Sequence, residues 1–356
     1  MSDSALDWNI DTCQQLQLPH PEHLEDGHTH TIPTIYLQGN HLVSGSADQT
    51  VRVWDLRSQR LLYPSLRGHT RVVRAVQFDS APRADAIITA SEAEVLVWRF
   101  STGEAVKKLE AAHDGGALAL HFDHRYLVTG ARDGKIKLWN RHSLDVNDAD
   151  VPDFITRPAR AGGFPMYSLL ATFEGHEKAV LALQLRDDVL VSGAGDSTIC
   201  IWSVKTGEVL QRIAIHQSGV KCLQYNGCFI VSGSTDNSVK IYDVEEQVAI
   251  ARLQGHANII SSIHVRHNDN GEVESVISGS YDGSIRFWQQ VLGSQRWRTR
   301  QQLDVSSFHW DEDVNFNDDG IEFGNRIHSI ALDTERLVCC GQGPLIHVWD
   351  FGSPHE

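Results

Sequence analysis

The stretch LVSGSADQTVRVWD at residues 42–55 decides the fold, because the chain repeats it. Four further copies align with it without a gap, at residues 127–140, 190–203, 230–243 and 276–289. Two degenerate copies complete a set of seven, at residues 87–99 and 337–350. Self-similarity at a period of about 40 residues is the signature of a repeat architecture.

Each copy has the pattern of two short strands around a tight turn. The turn carries Gly, Ser and Asp, which tolerate the backbone geometry that a turn requires. Alternating Val and Ile on either side favour strands, and no stretch of helical periodicity has comparable length. Each repeat is therefore predicted to form one small antiparallel sheet.

These copies resemble WD repeats, and over roughly residues 24–350 they are most similar to the propeller region of F-box/WD-repeat proteins. The resemblance implies an all-β fold, a closed seven-bladed WD-repeat β-propeller. It also implies a buried network in each blade, made from a histidine, a Ser or Thr, the turn aspartate and the strand tryptophan. Four blades carry all members: His28, Ser44, Asp48, Trp54; His113, Thr129, Asp133, Trp139; His176, Ser192, Asp196, Trp202; and His256, Ser278, Asp282, Trp288.

Three blades depart from this pattern. A fifth network, with His216, Ser232 and Asp236, has Tyr242 in place of the tryptophan. The second blade lacks a turn aspartate, and the seventh has Cys339 at the serine position and Pro344 near the turn, so both are expected to be locally weaker. A Ser, a His and an Asp can form a catalytic triad, but a nucleophile site occurs once and this set recurs, so no enzyme is predicted.

The ends of the chain are expected to close the ring. Only six residues follow Asp350, too few to supply an outer strand for the last blade. An unpaired sheet edge is an aggregation liability, and the spare strand-like material is CQQLQL at residues 13–18. We therefore predict that the N-terminal segment, residues 1–23, pairs with the last blade of a propeller spanning residues 24–356.

Two insertions interrupt the regular spacing, at about residues 141–166 and 304–325. The first is rich in Asp, Pro and Gly, and the second is acidic with Phe308, Trp310 and Phe316. Both are expected to protrude as loops. Two interpretations remain open: the insertions bind a partner, or they are solvated loops without a binding role.

Composition excludes several classes of function. With a formal net charge of −15, the chain lacks the basic surface that binding to nucleic acids or anionic membranes requires. No apolar run approaches the roughly 20 residues of a membrane span. Asp3, Asp7 and Asp11 stand where a signal peptide carries basic residues. We expect a cytoplasmic or nuclear protein, a monomer within a larger complex, with no nucleic-acid or membrane partner.

Cofactor and metal sites are not indicated either. Six cysteines show no Cys-x-x-Cys pair, and the histidine pairs His28/His30 and His121/His124 have no third ligand at suitable spacing. The segment QRWRTRQQ, with Trp297 between arginines, is read as a solvated outer strand of the sixth blade rather than a base-stacking site.

Candidate binding residues follow from the resemblance. In F-box/WD propellers, phosphopeptide-binding side chains lie just after the first apolar residue of the first strand, or just before the turn aspartate. At these top-face positions this chain has Arg74, Arg132, Lys221, Tyr281 and His328. Arginine forks match phosphate oxygens, so a phosphorylated or acidic peptide is the predicted partner. Three cations among fourteen rim positions also arise by chance, so ordinary peptide binding remains open.

A second candidate site concerns ubiquitin ligases. The segment before the first repeat is too short for an F-box, which is expected to be absent from this chain. Residues 54–57, Trp-Asp-Leu-Arg, resemble the WD-x-Arg box of cullin-type ligase receptors, in which the arginine, here Arg57, contacts the adaptor. Two functions stay open: a non-enzymatic protein-interaction scaffold, or a substrate receptor of a cullin-type ubiquitin ligase.

Overall fold

The computed structural model describes residues 13–109, 112–145, 147–155, 163–291, 294, 296–305 and 325–352. Within these residues the chain forms seven antiparallel sheets, and the innermost strand of each sheet packs against those of its two neighbours. The first and last sheets also meet, so the ring is closed. This confirms the predicted seven-bladed propeller.

The blades follow one another in chain order, and each runs outward from the central channel. Their strands are as follows: blade 1, β2 Thr34–Gln38, β3 His41–Gly45, β4 Thr50–Asp55, β5 Arg60–Leu61 and β6 Leu66–Arg67; blade 2, β7 Val73–Asp79, β8 Ala86–Ser91, β9 Val95–Arg99 and β10 Ala105–Leu109; blade 3, β11 Ala117–Phe122, β12 Tyr126–Ala131, β13 Ile136–Asn140 and β14 Leu169–Phe173; blade 4, β15 Val180–Arg186, β16 Val189–Ala194, β17 Ile199–Ser203 and β18 Val209–Ile213; blade 5, β19 Val220–Tyr225, β20 Phe229–Ser234, β21 Ser238–Asp243 and β22 Val248–Gln254; blade 6, β23 Ile260–His267, β24 Val273–Ser280, β25 Ser284–Gln290 and β26 Trp297–Asp304; blade 7, β27 Ile327–Leu332, β28 Arg336–Gly341 and β29 Ile346–Asp350.

The seventh blade takes its outer strand from the N-terminal segment. Strand β1 (Gln14–Leu18) runs antiparallel to β29, with Gln14 opposite Asp350 and Leu18 opposite Ile346. Leu18 is only 1% exposed and packs into the cluster between blades 7 and 1. The predicted closure is confirmed, because the two ends of the described chain share one sheet.

The predicted polar network forms in blade 4 with short hydrogen bonds. His176 Nε2 lies 2.7 Å from Ser192 Oγ and its Nδ1 lies 2.9 Å from the carboxylate of Asp196. The indole of Trp202 donates to the same Ser192 oxygen at 2.8 Å. The network joins the loop before the blade to its middle strands, and blades 1 and 6 repeat it.

The other blades vary this network in ways that follow from single residues. In blade 2, Glu94 takes the place of the missing turn aspartate and accepts from the backbone N–H of Thr70 at 2.9 Å. In blade 5, Tyr242 replaces the tryptophan, and its hydroxyl accepts a hydrogen bond from the side chain of Gln211 at 2.8 Å. In blade 7, Cys339 lies in an apolar cluster with Trp349. Lower stability of blades 2 and 7 stays a prediction.

The first insertion corrects a prediction. It was expected to protrude, but its described part packs on the propeller: Leu144 and Val151 are buried in the core between blades 3 and 4. Leu144 bridges to Phe164, and Phe154 lies edge-on to Phe173 of β14. The expectation is wrong here because apolar side chains interspersed among Asp, Pro and Gly pack against the blade surface. Most of the second insertion, including Phe308, Trp310 and Phe316, lies outside the described residues.

The blades are joined by side chains at one repeated position of the inner strands. Glutamine occupies this position in blades 2, 4 and 5, and histidine occupies it in blade 3. Each side chain accepts a hydrogen bond from a backbone N–H of the next blade. The pairs are Gln77 with Phe122, His121 with Leu185, Gln184 with Tyr225 and Gln224 with Val265.

His121 at this position is expected to make stability depend on pH. Burial lowers the pKa of His121 from its ordinary value of 6.5 to about 4. As the pH falls, this histidine therefore takes up its proton at a higher pH in the unfolded chain than in the folded protein. The free energy of unfolding that is present above pH 6.5 is lost progressively as the pH falls toward 4. We expect His121→Gln to match the wild type at pH 7.5 and to be about 2 kcal/mol more stable than it at pH 5. Urea denaturation at both pH values measures this, and an equal pH dependence of the two proteins would contradict it.

Candidate functional site

The mouth of the central channel on one face collects most of the predicted binding residues. In an antiparallel blade, the start of the inner strand and the turn between the second and third strands lie at the same end. Residues from these two places line a cavity of about 490 Å³. Its lining includes Arg74, Arg132, Lys221, Tyr281 and His328, together with Pro33, Ala47, Leu118 and Leu181. We call this the top mouth.

Two of the top-mouth cations, Arg74 and Arg132, share one carboxylate. Glu92, in the turn between β8 and β9, lies 3.1 Å from the guanidinium of Arg74 and 3.5 Å from that of Arg132. Lys221 has no ion pair with any described residue. The mouth therefore contains more positive than negative charge, although the whole chain is acidic.

Like charges in the top mouth act on one another. Burial lowers the pKa of Lys221, and the nearby Arg74 lowers it further. Burial also lowers the pKa of His328 to about 4, and Lys221, Arg326 and Arg74 add to this effect. The charged forms are disfavoured mainly by burial and further by the neighbouring cations, so an anion entering the mouth would stabilise them.

Aromatic rings form one wall of the mouth. The rings of Tyr281 and His328 meet edge to face, with their centroids 5.1 Å apart. The guanidinium of Arg326 lies 5.8 Å from the centre of the Tyr281 ring, a cation–π distance. Such a wall combines an apolar surface with positive charge, which suits a peptide that carries an acidic group.

Sequence reasoning missed two residues here. Glu92 follows the strand of a degenerate repeat, where the turn aspartate is absent, and no pattern marked it as a partner for arginines of two blades. Arg326 lies directly before β27, outside the positions that the resemblance singled out. The sequence did contain a signal for Arg326, because this cation stands two residues before His328.

Arg57 lies away from the top mouth. It is exposed in the turn between β4 and β5, which is on the opposite face, and the Asp55 carboxylate accepts its backbone N–H at 3.2 Å. With Asn40, His264, Arg266 and other residues it lines a second cavity of about 570 Å³. The sequence-predicted residues thus divide between two faces, five on one and Arg57 on the other.

The other candidate side chains have structural partners. His28 is held by Asp48 and Ser44, and His121 accepts from the backbone of blade 4. Trp297 lies in β26, the outer strand of blade 6, as predicted, and packs against the apolar cluster between blades 5 and 6. In the described part of the chain, no cluster of three or more His, Cys, Asp or Glu side chains could hold a metal ion, and no helix has the length and apolar character to span a membrane.

Comparison with known families supports the repeat assignment. The family model described as "WD domain, G-beta repeat" matches residues 21–55, 103–140, 167–203, 207–243 and 247–289, more than half of the chain. The chain belongs to the WD40 repeat family. Among the unmatched segments, residues 56–102 and 290–356 contain the degenerate repeats of blades 2 and 7, in which the turn aspartate and the serine, respectively, are replaced.

Curated relatives and one solved structure share parts of this WD40 propeller. The chain is 28% identical to WD repeat-containing protein pop2 of Schizosaccharomyces pombe, over 54% of this chain and 23% of that protein. It is 30% identical to Mitochondrial division protein 1 of Neurospora crassa, over 42% of this chain and 25% of that protein. The chain thus matches about a quarter of the length of these relatives.

The solved structure covers nearly the whole propeller. It is a crystal structure of the computationally designed Ika8 protein, 26% identical, with a TM-score of 0.62 over 91% of this chain and 98% of that chain. WD40 propellers are generally non-enzymatic scaffolds that bind other proteins. This role describes the family in general. The specific function of this chain has to be inferred from the residues of its own candidate site.

Proposed function

We propose that this WD40 protein is a non-enzymatic interaction module that binds a phosphorylated or acidic peptide segment at its top mouth. One observation carries the proposal: Arg74, Arg132 and Lys221 come from three different blades and line one cavity, with Glu92 as the one described carboxylate that pairs with any of them. The protein would act in the cytoplasm or nucleus, as a monomer within a larger complex.

The chemistry of the mouth fits a phosphate better than it fits a neutral peptide. Arg74 and Arg132 present planar guanidinium groups, which can bind two phosphate oxygens at once. Lys221 adds a compact charge that is partly buried, so the surrounding protein weakens its screening by water. The apolar side chains Leu118 and Leu181 and the Tyr281–His328 wall would contact residues on either side of the phosphate.

Peptide binding by charge-reversed variants tests this proposal. We expect a degenerate phosphoserine/phosphothreonine peptide library to bind the wild type better than its unphosphorylated counterpart. Arg74→Glu, Arg132→Glu and Lys221→Glu together should weaken that binding more than about 100-fold, because each removes a charged hydrogen bond. Fluorescence polarisation measures both.

The matched control has the same change in charge at residues that do not line the cavity. Arg71, Lys107 and Lys178 are exposed and do not line the cavity. Their triple replacement by Glu should keep phosphopeptide affinity within a few-fold of the wild type, as screened surface charges do. Equal weak binding by all proteins, or equal losses in both triple variants, would refute the proposal.

Glu92 gives a prediction in the opposite direction. Its carboxylate contacts both arginines and therefore competes with an incoming anion. Glu92→Gln should raise phosphopeptide affinity by about threefold or more, since exposed ion pairs of this kind contribute up to about 1 kcal/mol. Polarisation titration with the same library measures the change, and weaker binding would show that Glu92 organises the site.

A second candidate function rests on the opposite face. We propose that Arg57 could contact a cullin adaptor, which would make the protein a substrate receptor of a ubiquitin ligase. Its support is the exposed position of Arg57 after Trp54 and Asp55, at a turn that the Asp55 side chain stabilises. Purified cullin adaptors should bind the wild type and not Arg57→Glu.

Lys205 provides the matched control for Arg57. It is the basic residue at the same turn position of blade 4, three residues after Trp202. Lys205→Glu should leave adaptor binding unchanged. Failure of all adaptors to bind the wild type would remove the ligase function while leaving the peptide site at the top mouth untouched.

A further inference from the structure

The outer rim of blade 1 contains a cavity that the proposed function does not use. It has a volume of about 430 Å³ and is lined by Arg52, Arg60, Arg67, Tyr63, Glu25 and Asp26, among others. We call it the rim pocket. The residues of the top mouth do not contribute to its lining.

The rim pocket exists because the outer strand of blade 1 is broken. The other described blades have one continuous outer strand, whereas blade 1 has β5 and β6 separated by residues 62–65. Pro64 lies in this break and has no N–H to donate to a strand partner. The 3-10 helix Pro21–Asp26 passes nearby, and Asp26 ties it to β5 through Arg60 at 2.7 Å.

Arg52 is the unusual residue of the pocket. Its residue surface is only 7% exposed, and its Nε and Nη1 are buried without a hydrogen-bond partner. Among the described residues no carboxylate lies within ion-pair distance of it. The nearby acids are engaged elsewhere, because Asp48 binds His28 and Thr50 while Asp26 binds Arg60.

A buried guanidinium without a counter-ion is costly. Burial lowers the pKa of Arg52, and Arg67 adds to this effect while Asp48 and Asp26 oppose it. In blade 5 the equivalent residue is Lys240, whose ammonium donates to the carbonyl of Ile215. In blade 6 it is Arg286, whose guanidinium lies 6.0 Å from the centre of the Trp288 ring. Arg52 has neither kind of partner.

We propose that the rim pocket binds a phosphate group, held by Arg52 and Arg67. Arg60 stands beside them with its charge already matched by Asp26, so two arginines remain for the ligand. Planar guanidinium groups pair with phosphate through two parallel hydrogen bonds, and a dianion would supply the charge that buried Arg52 lacks. The phosphate can be inorganic or a phosphomonoester on a peptide, since both present the same oxygens.

The test uses a variant in which the top-mouth cations are neutralised, so that phosphate binding at the top mouth cannot be mistaken for binding at the rim pocket. Isothermal titration is done on the full chain with Arg74→Gln, Arg132→Gln and Lys221→Gln. The probes are inorganic phosphate and the capped tripeptide acetyl-Gly-phosphoSer-Gly-amide, at constant ionic strength. We expect one site for at least one probe, and the tighter probe identifies the source of the phosphate.

Two variants and a control complete the test. Arg52→Met and, separately, Arg67→Gln should each lower the affinity at least about tenfold, the effect of losing a charged hydrogen bond. Arg67 is exposed, so its variant stays informative if Arg52→Met fails to fold. Arg298→Gln, on the exposed outer strand of blade 6, should change nothing. No binding of either probe, or unchanged affinity in both pocket variants, would overturn the proposal.

Discussion

Removal of residues 1–20 is expected to lower the melting temperature by more than about 10 °C, or to give insoluble protein. The deletion takes away β1, which pairs with β29 along five residues and buries Leu18. It leaves the edge of β29 unpaired, and an exposed edge invites association with other chains. Differential scanning fluorimetry and a solubility assay measure the two outcomes.

Two point substitutions within β1 separate closure from a general effect of truncation. Leu18→Ala should destabilise the protein by about 3 kcal/mol, because Leu18 is fully buried between blades 7 and 1. Gln15→Ala, at an exposed position of the same strand, should change little. A truncated protein that melts like the wild type would show that β1 does not close the ring.

His176→Ala is expected to destabilise the protein by about 3 kcal/mol at neutral pH. The substitution removes hydrogen bonds to Ser192 and Asp196 and leaves the Asp196 carboxylate without its histidine. The Asp196 pKa is lowered in the folded protein through hydrogen bonds from Thr198, Glu177 and His176, against the effect of burial. Urea denaturation gives the free energy of unfolding.

Blade 3 offers a control with the same substitution in a weaker network. His113 and His176 are each 8% exposed, but the His113–Asp133 contact is 3.4 Å long and His113 Nδ1 makes no hydrogen bond with a described residue. His113→Ala should therefore cost about 1 kcal/mol less than His176→Ala. Equal losses would mean that volume, and not the hydrogen bonds, accounts for the effect.

The repeats allow the fold to be predicted in detail, since register follows from them. Once the copies are aligned, Arg74, Arg132 and Lys221 fall at equivalent ends of three blades, and a closed ring brings those ends together. The closing role of β1 could be predicted because the sequence after β29 is too short to give blade 7 an outer strand of its own. Each of these predictions needs only repeat positions and the rule that sheet edges are paired.

What the sequence could not reveal depends on individual contacts between unlike elements. In blade 2, Glu94 makes the hydrogen bonds that a turn aspartate makes in other blades, although it does not occupy the aspartate position of the repeat. The first insertion packs on the blades through a few apolar side chains that composition concealed. Arg52 matches the basic residues of other blades in the alignment, and only its surroundings, with Pro64 breaking the outer strand, leave it without a partner.

The most direct test of the central claim is tagged purification followed by mass spectrometry of bound proteins. The wild type, the Arg74/Arg132/Lys221 triple Glu variant and the Arg71/Lys107/Lys178 triple Glu control are compared side by side. We predict a set of phosphoproteins that the wild type and the control retain and the top-mouth variant loses. The same bound proteins in all three samples would contradict it, because partners would then be held by some other surface.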